Sequence, residues 1–150
     1  MTREILFRAK RIDDGEWVEG YYIYHIKRTI CPLGDSVKPE DEQHVIMQDG
    51  FSDWNMPRNT VVYIIDPKTL CQYTGLKDKS GEKVFIGDII RCTKGCPHEV
   101  IWLKEYAGTY VGGMPAVYLS GLRAGYAWTG KEEKIGNVFD NPEILKAGDP

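Results

Sequence analysis

The densest run of reactive side chains in this 150-residue sequence is Cys92-Thr93-Lys94-Gly95-Cys96-Pro97-His98. Thiolates and imidazoles are the soft ligands that zinc takes, and short cysteine knuckles supply them in pairs. Here three residues separate the thiols and an imidazole follows two positions on, so a third ligand is local. Cys31 or Cys71 could in principle supply a fourth ligand. The simpler reading is a strand over Asp88–Cys92, a turn at Lys94-Gly95 and a second strand from near His98. It is preferred because no second Cys pair completes a zinc ribbon. Cys92, Cys96 and His98 stand as metal candidates only, and no metal or cofactor is assigned. Cys96 and His98 also make a thiol–imidazole pair. Neighbours two apart on a strand lack a third group to orient them, so nucleophilic catalysis is not expected.

Other constellations point away from catalysis. There is no Gly-x-Ser-x-Gly elbow and no phosphate loop of the Walker type. His25 and His44 lie in apolar, strand-like runs and read as strand histidines. The carboxylate pairs Asp13-Asp14, Asp41-Glu42 and Glu132-Glu133 sit beside turn signals and read as solvated turns. General acid–base work would need one of each pair buried and shifted. Tyr110-Val111-Gly112-Gly113 lacks the following helix that phosphate binding uses. A catalytic residue is therefore not assigned, and an enzyme is not expected.

Basic residues crowd the N-terminus at Arg3, Arg8, Lys10 and Arg11, and Lys27-Arg28 follow the strand-like run that holds Tyr22 and Tyr24. Paired as a hairpin, these cations and tyrosines would resemble the aromatic, basic faces with which small β-barrels bind single strands. The competing reading is a strand edge blunted by charge. The 19 Lys and Arg against 22 Asp and Glu, net charge -3, argue against a wholly nucleic-acid-binding surface.

The elements that must position these residues are short and β-like. Sixteen glycines and eight prolines are spread along the chain. Between them lie runs such as Trp17-Val18, Tyr21–Tyr24, His44–Met47, Val61–Ile65, Lys83–Ile86, Asp88–Cys92, Val100–Leu103, Val117–Leu119 and Ile135–Phe139. Each has strand length and composition. Helical periodicity is nearly absent. Asp66-Pro67-Lys68-Thr69-Leu70 and Asn141–Lys146 are expected as single turns, each with a capping side chain and Pro in the first position. Gly15–Gly20 and Gly81–Gly87 share a pattern and are expected as two hairpin entries. The expected fold is all-β, with two β-barrel-like or curled-sheet subdomains over 1–66 and 67–150, the second compared with SH3-like barrels. The stretch 32–42 reads as a solvent loop. The stretch 104–130 alternates glycines with Tyr106, Tyr110, Tyr118, Tyr126 and Trp128, as a contact surface would. No apolar run reaches the ~18–20 residues of a membrane helix. The charged first residues suggest a cytoplasmic protein with reduced thiols.

The segment Thr69–Ile90, with Gln72-Tyr73-Thr74-Gly75-Leu76, Asp78-Lys79-Ser80-Gly81 and Gly87-Asp88, resembles the signature of the YopX family of phage and prophage proteins. Arg3–Ala9, Gly15-x-Trp17-Val18-x-Gly20 and Ile135-Gly136-Asn137-Val138-Phe139-Asp140-Asn141-Pro142 are similar to flanking elements of that family in the same order. Ile86 stands where an acidic residue is usual, and Leu70 where Val is usual. The resemblance implies a mainly β fold, phage ancestry and self-association, with no active site to carry over. Read physically, the motif residues look architectural: Asp78 and Gly81 make a turn, Gly75 a bend, and Gly87-Asp88 a sharp entry to an apolar strand. The expected function is a phage-derived accessory protein that binds a host or phage protein and forms a homo-oligomer. A single-strand nucleic-acid module is the alternative.

Overall fold

The computed structural model describes residues 3–103, 116–120 and 128–147. Much of the aromatic stretch 104–130 lies outside the described residues, which include Tyr118 and Trp128 from it. The fold is mainly β, in two compact units, Ile5–Leu70 and a second unit from Cys71 onward that also takes residues 3–4. The boundary falls after Leu70 rather than after Asp66. The turn Pro67–Thr69 stays with the first unit because Lys10 N–H donates to Thr69 Oγ1 and Asp66 N–H donates to the Lys10 carbonyl.

The first unit is an antiparallel meander of β1 (Phe7–Lys10), β2 (Trp17–Ile26), β3 (Glu42–Asp49) and β4 (Thr60–Ile64), in the order β4-β3-β2-β1. Strand alternation sends Ala9, Ile46 and Ile65 into one core with Phe7, Val18, Tyr22 and Leu70. Ile46 is fully buried, and removing such a side chain from water stabilises by ~1.5–3 kcal/mol. The runs Trp17-Val18 and Tyr21–Tyr24 join into one strand through Gly20. A Cβ there would fall inside contact range of the Met47 carbonyl on β3.

The second unit holds the β5–β6 hairpin (Cys71–Lys77 and Lys83–Phe85). A four-stranded sheet follows, in the order β10-β7-β8-β9, from β7 (Asp88–Arg91), β8 (Pro97–Leu103), β9 (Ala116–Leu119) and β10 (Glu133–Asn137). Val84, Ile90, Val100 and Leu119 form its core, with Val117 and Trp128 against them. Pro142–Ala147 forms the short helix α1. The two glycine-bearing entries are both hairpin turns, with Gly15 and Gly81 at φ of 73° and 87°. The turn at Asp66 is capped as its sequence suggests, since the side chain accepts from Lys68 N–H. Strand β5 was visible in the sequence only as motif residues.

Replacing Gly20 with Ala should cost ~1–3 kcal/mol, the usual penalty for over-packing against a neighbour that cannot yield. Urea denaturation of the Gly20→Ala variant checks this; stability equal to the parent would mean that β2 and β3 are not held this close.

Candidate functional site

The turn between β7 and β8 is closed by Cys92 N–H donating to the Cys96 carbonyl and Gly95 N–H donating to the Cys92 carbonyl, both 2.9 Å. Gly95 takes a φ of 88°, which this tight return requires. The strand register, Arg91 opposite Pro97 and Ile90 opposite His98, makes Cys92 and Cys96 the next facing pair. Alternation along β8 then returns His98 to the face of Cys96. The two sulfurs and the imidazole nitrogen lie within 4.8 Å of one another. They line a pocket of about 200 Å³ with Thr93, Lys94, Leu119, Thr129 and Glu132.

His98 has an orienting group that sequence reasoning missed. Its Nδ1 lies 2.6 Å from the Ser120 carbonyl, just past β9. A carbonyl only accepts, so Nδ1 carries a proton and donates it to Ser120. Burial pushes the Cys92 thiol up, but hydrogen bonds from the Lys94 and Cys96 backbone, from His98 and from Cys96 outweigh it and bring it to about 7. Hydrogen bonding to Cys92 and its charge push the Cys96 thiol up instead. Cys71 is buried next to Gly87, and Cys31 is exposed in the first unit.

Glu132, expected in a solvated turn, is buried. Its carboxylate accepts from Thr129 N–H and Oγ1–H and from Gly130 N–H at 2.7–2.9 Å. Burial raises this carboxyl, and those hydrogen bonds more than offset it, leaving it below its ordinary value. The family-motif residues act on the backbone in the same manner. Asp78 Oδ1 accepts from Ser80 and Glu82 N–H, and Oδ2 accepts from Lys134 N–H, each at 2.9 Å. Asp88 Oδ2 accepts from Phe85 N–H and lies 3.5 Å from Lys134 Nζ. Gly87 N–H donates to the Val100 carbonyl at a φ of 97°. The Gln72 carbonyl accepts from Ile86 N–H, and the Tyr73 ring packs tilted against Phe85. The Gly75 and Gly136 positions are closely approached by Arg3 and Asn141 side chains. Asn137 Oδ1 accepts from Phe139 and Asp140 N–H, and Pro142 opens α1.

The basic N-terminal candidates are spread apart. Arg8 and Lys10 share one face of the first unit and sit over the Trp17 ring, at 4.9 and 5.3 Å. Tyr22 and Tyr24 are on the opposite face, by the register of Phe7 with Gly20 and Ala9 with Val18. Tyr22 bonds His44, and Tyr24 donates to Glu42. Arg11 is held by Asp13 and Asp14, and Arg3 groups with the second unit. Lys27 is exposed beside Arg28. Arg28 bonds Asp35 and Asp41 at 2.7 Å each, which gives the 32–42 stretch a fixed anchor. The Arg28 hydrogen bond, helped by Cys31 and Ser36 N–H, lowers the Asp35 carboxyl to about 2.

One further surface went unnoticed in the sequence. On the other face of this sheet, the register aligns Tyr21, Met47 and Val62 in one row and Ile23, Val45 and Ile64 in the next, with Val45 itself buried. Tyr21, Val62, Ile64 and Ile23 are 58, 54, 50 and 40% exposed. The β3–β4 loop leaves from the end nearer the first row and carries Phe51 and Trp54, 94 and 95% exposed. The signal was the run Tyr21–Tyr24, apolar at both parities where a half-buried strand alternates.

Taken together, the fold and motif geometry describe a small two-unit β protein whose signature residues tie its own turns. The model of the YopX protein family matches residues 6–146, and the chain belongs to this family. The crystal structure of protein EF1440 from Enterococcus faecalis is similar at TM-score 0.46 and 22% identity, covering 95% of this chain and 99% of that one. No curated protein matches the sequence. Among the described residues, no helix is long and apolar enough to cross a membrane.

Two outcomes follow. Hydrogen bonds to the Asp78 carboxylate outweigh its burial and hold its pKa below the ordinary value. The unfolded chain therefore binds the proton more readily, and the contribution of Asp78 is present above pH ~3.9 and lost as pH falls through the lower native value. Asp78→Asn should be ~1–3 kcal/mol less stable at neutral pH and should lose less stability on acidification than the parent, by urea melts across the acid range. Arg28→Ala should speed amide exchange at Cys31 and Lys38, whose acceptors are Asp35 and Asp41, and leave exchange in the β7–β8 hairpin unchanged.

Proposed function

We propose that this YopX-family chain is a non-enzymatic, phage-associated binding module that docks an apolar surface of a host or phage protein. The observation that carries this reading is the uncharged double row Tyr21-Met47-Val62 and Ile23-Val45-Ile64, in which Tyr21, Ile23, Val62 and Ile64 are exposed and Val45 is buried. Exposed apolar patches of this kind are the mark of protein contact surfaces. Trp54 and Phe51 at the adjoining loop add the aromatic anchors that dominate interface energies.

A face without charge releases no counterions, so it does not favour nucleic acid. Four of the six cations that would favour it are engaged: Arg11 and Arg28 with carboxylates, Arg8 and Lys10 with Trp17. The same reading places the protein in the bacterial cytoplasm, where the thiols of Cys31, Cys71, Cys92 and Cys96 stay reduced. Self-association is the rival occupant of the face.

The test compares tagged parent and Val62→Glu chains, both verified as folded by circular dichroism. The expected result is a protein retained from nuclease-treated host lysate, rebuilt from purified components, and bound at least ~10-fold more weakly by Val62→Glu, a loss of ~1.4 kcal/mol. Equal binding by the variant would remove the face from the reading. Recovery that vanishes with nuclease and falls steeply with salt would replace it with the nucleic-acid alternative. An oligomer of the purified parent that Val62→Glu dissociates would give the face to a second copy.

A further inference from the structure

We propose that the β7–β8 hairpin is a zinc site in which Cys92, Cys96 and His98 supply three protein ligands and the fourth position is open to water or an external ligand. The donors are two thiols and one imidazole, the soft set that zinc prefers over magnesium or calcium. They do not depend on a distant loop. The closed turn makes the two cysteines face each other, and strand alternation adds His98.

Bonds of ~2.0–2.3 Å place the ligand atoms of tetrahedral zinc ~3.4–3.8 Å apart. The present spread of at most 4.8 Å has to close by about 1 Å to reach that spacing, and Cys96 is the exposed member of the trio. The imidazole is already oriented. A ligating histidine almost always gives its other N–H to a carbonyl or carboxylate, which fixes the tautomer. His98 Nδ1 does so to Ser120 at 2.6 Å, so Nε2 is the ring nitrogen a metal would take, in place of the ring's present hydrogen bond with Cys92. Two thiolates neutralise the dication, so the half-buried pocket gains no net charge.

The open fourth position follows from the neighbours. Among the described residues, no further Cys, His, Asp or Glu joins the trio. Glu132 reaches the same pocket, but its oxygens accept from Thr129 and Gly130. The pocket of about 200 Å³ leaves room for a water or a small exogenous donor. Three protein ligands with one free position is the arrangement of zinc sites that act on something, whereas structural sites are closed by four.

Cobalt(II) is the probe, because it replaces zinc and is coloured. The full chain is stripped with chelator under a phosphine reductant, titrated with cobalt and then with zinc. One equivalent should give thiolate-to-cobalt charge transfer and the intense visible bands of tetrahedral geometry, and zinc should abolish them. Cys96→Ser and His98→Ala should lose the spectrum at stoichiometric metal, and Cys31→Ser should keep it. Cys96 is exposed, so its variant should retain the parent circular dichroism. An added small thiol should shift the cobalt bands. Absence of the spectrum, its survival in Cys96→Ser, or its loss in Cys31→Ser would each overturn the site. Bands indifferent to the thiol would overturn the open position.

Discussion

A chain that reverses direction every few residues must find acceptors for the backbone N–H groups its turns strip from the sheet. In the second unit, buried carboxylates do this. Asp78 takes three amides, two from its own turn and one from Lys134 on β10. Asp88 takes Phe85 N–H, and Glu132 takes the amides of Thr129 and Gly130. A buried carboxylate is costly, by several kcal/mol after relaxation, unless such charge-assisted bonds surround it. Lys134 links the set. Its amide reaches Asp78, while its ammonium lies 3.2 Å from the Lys83 carbonyl and 3.5 Å from Asp88. One residue of β10 thereby joins the β5–β6 hairpin to the start of β7.

The thiol hairpin depends on that frame. β7 lies between β10 and β8, so its position is set on one side by the strand that carries Lys134. Glu132 precedes that strand and forms part of the wall of the thiol pocket. With its oxygens taken up by the backbone, it shapes the cavity without competing as a ligand. The wall is a fixed anion near two thiols, and Lys94 on the turn is the cation that faces them.

Local chemistry was readable from residue order; facing geometry was not. The Asp66 cap, the Gly15 and Gly81 turns and the runs that became β3, β4 and β7 each follow from a few neighbouring residues. Strand β5 was hidden because Gly75 interrupts it at a φ of 84°, and Thr74 spends its hydroxyl on the Val84 carbonyl. The burial of Glu132 was hidden because its amide partners lie in a turn with no apolar pattern. Cys92, Cys96 and His98 were visible as residue types. Their convergence needed the register of β7 with β8, and the orienting carbonyl at Ser120 is 22 positions from His98. The basic and tyrosine residues failed to share a surface for the same reason: Tyr22 and Arg8 differ in which side of the sheet they meet, a matter of register rather than composition.

A side chain that closes its own backbone is committed to the architecture before any ligand arrives. That accounting applies to Asp78, Asp88 and Asn137, all within or flanking the family signature. It directs attention to groups that the architecture does not consume. Two such groups stand out. The exposed members of the double apolar row, Tyr21, Ile23, Val62 and Ile64, give up water contact only if something covers them. The sulfur pair at the β7–β8 turn sits on a return that two backbone bonds already close, and the Cys92 sulfur adds hydrogen bonds from the Lys94 and Cys96 backbone. Replacing the exposed members of either group, Val62 or Cys96, removes no buried contact, which separates the roles of scaffold and contact in this chain.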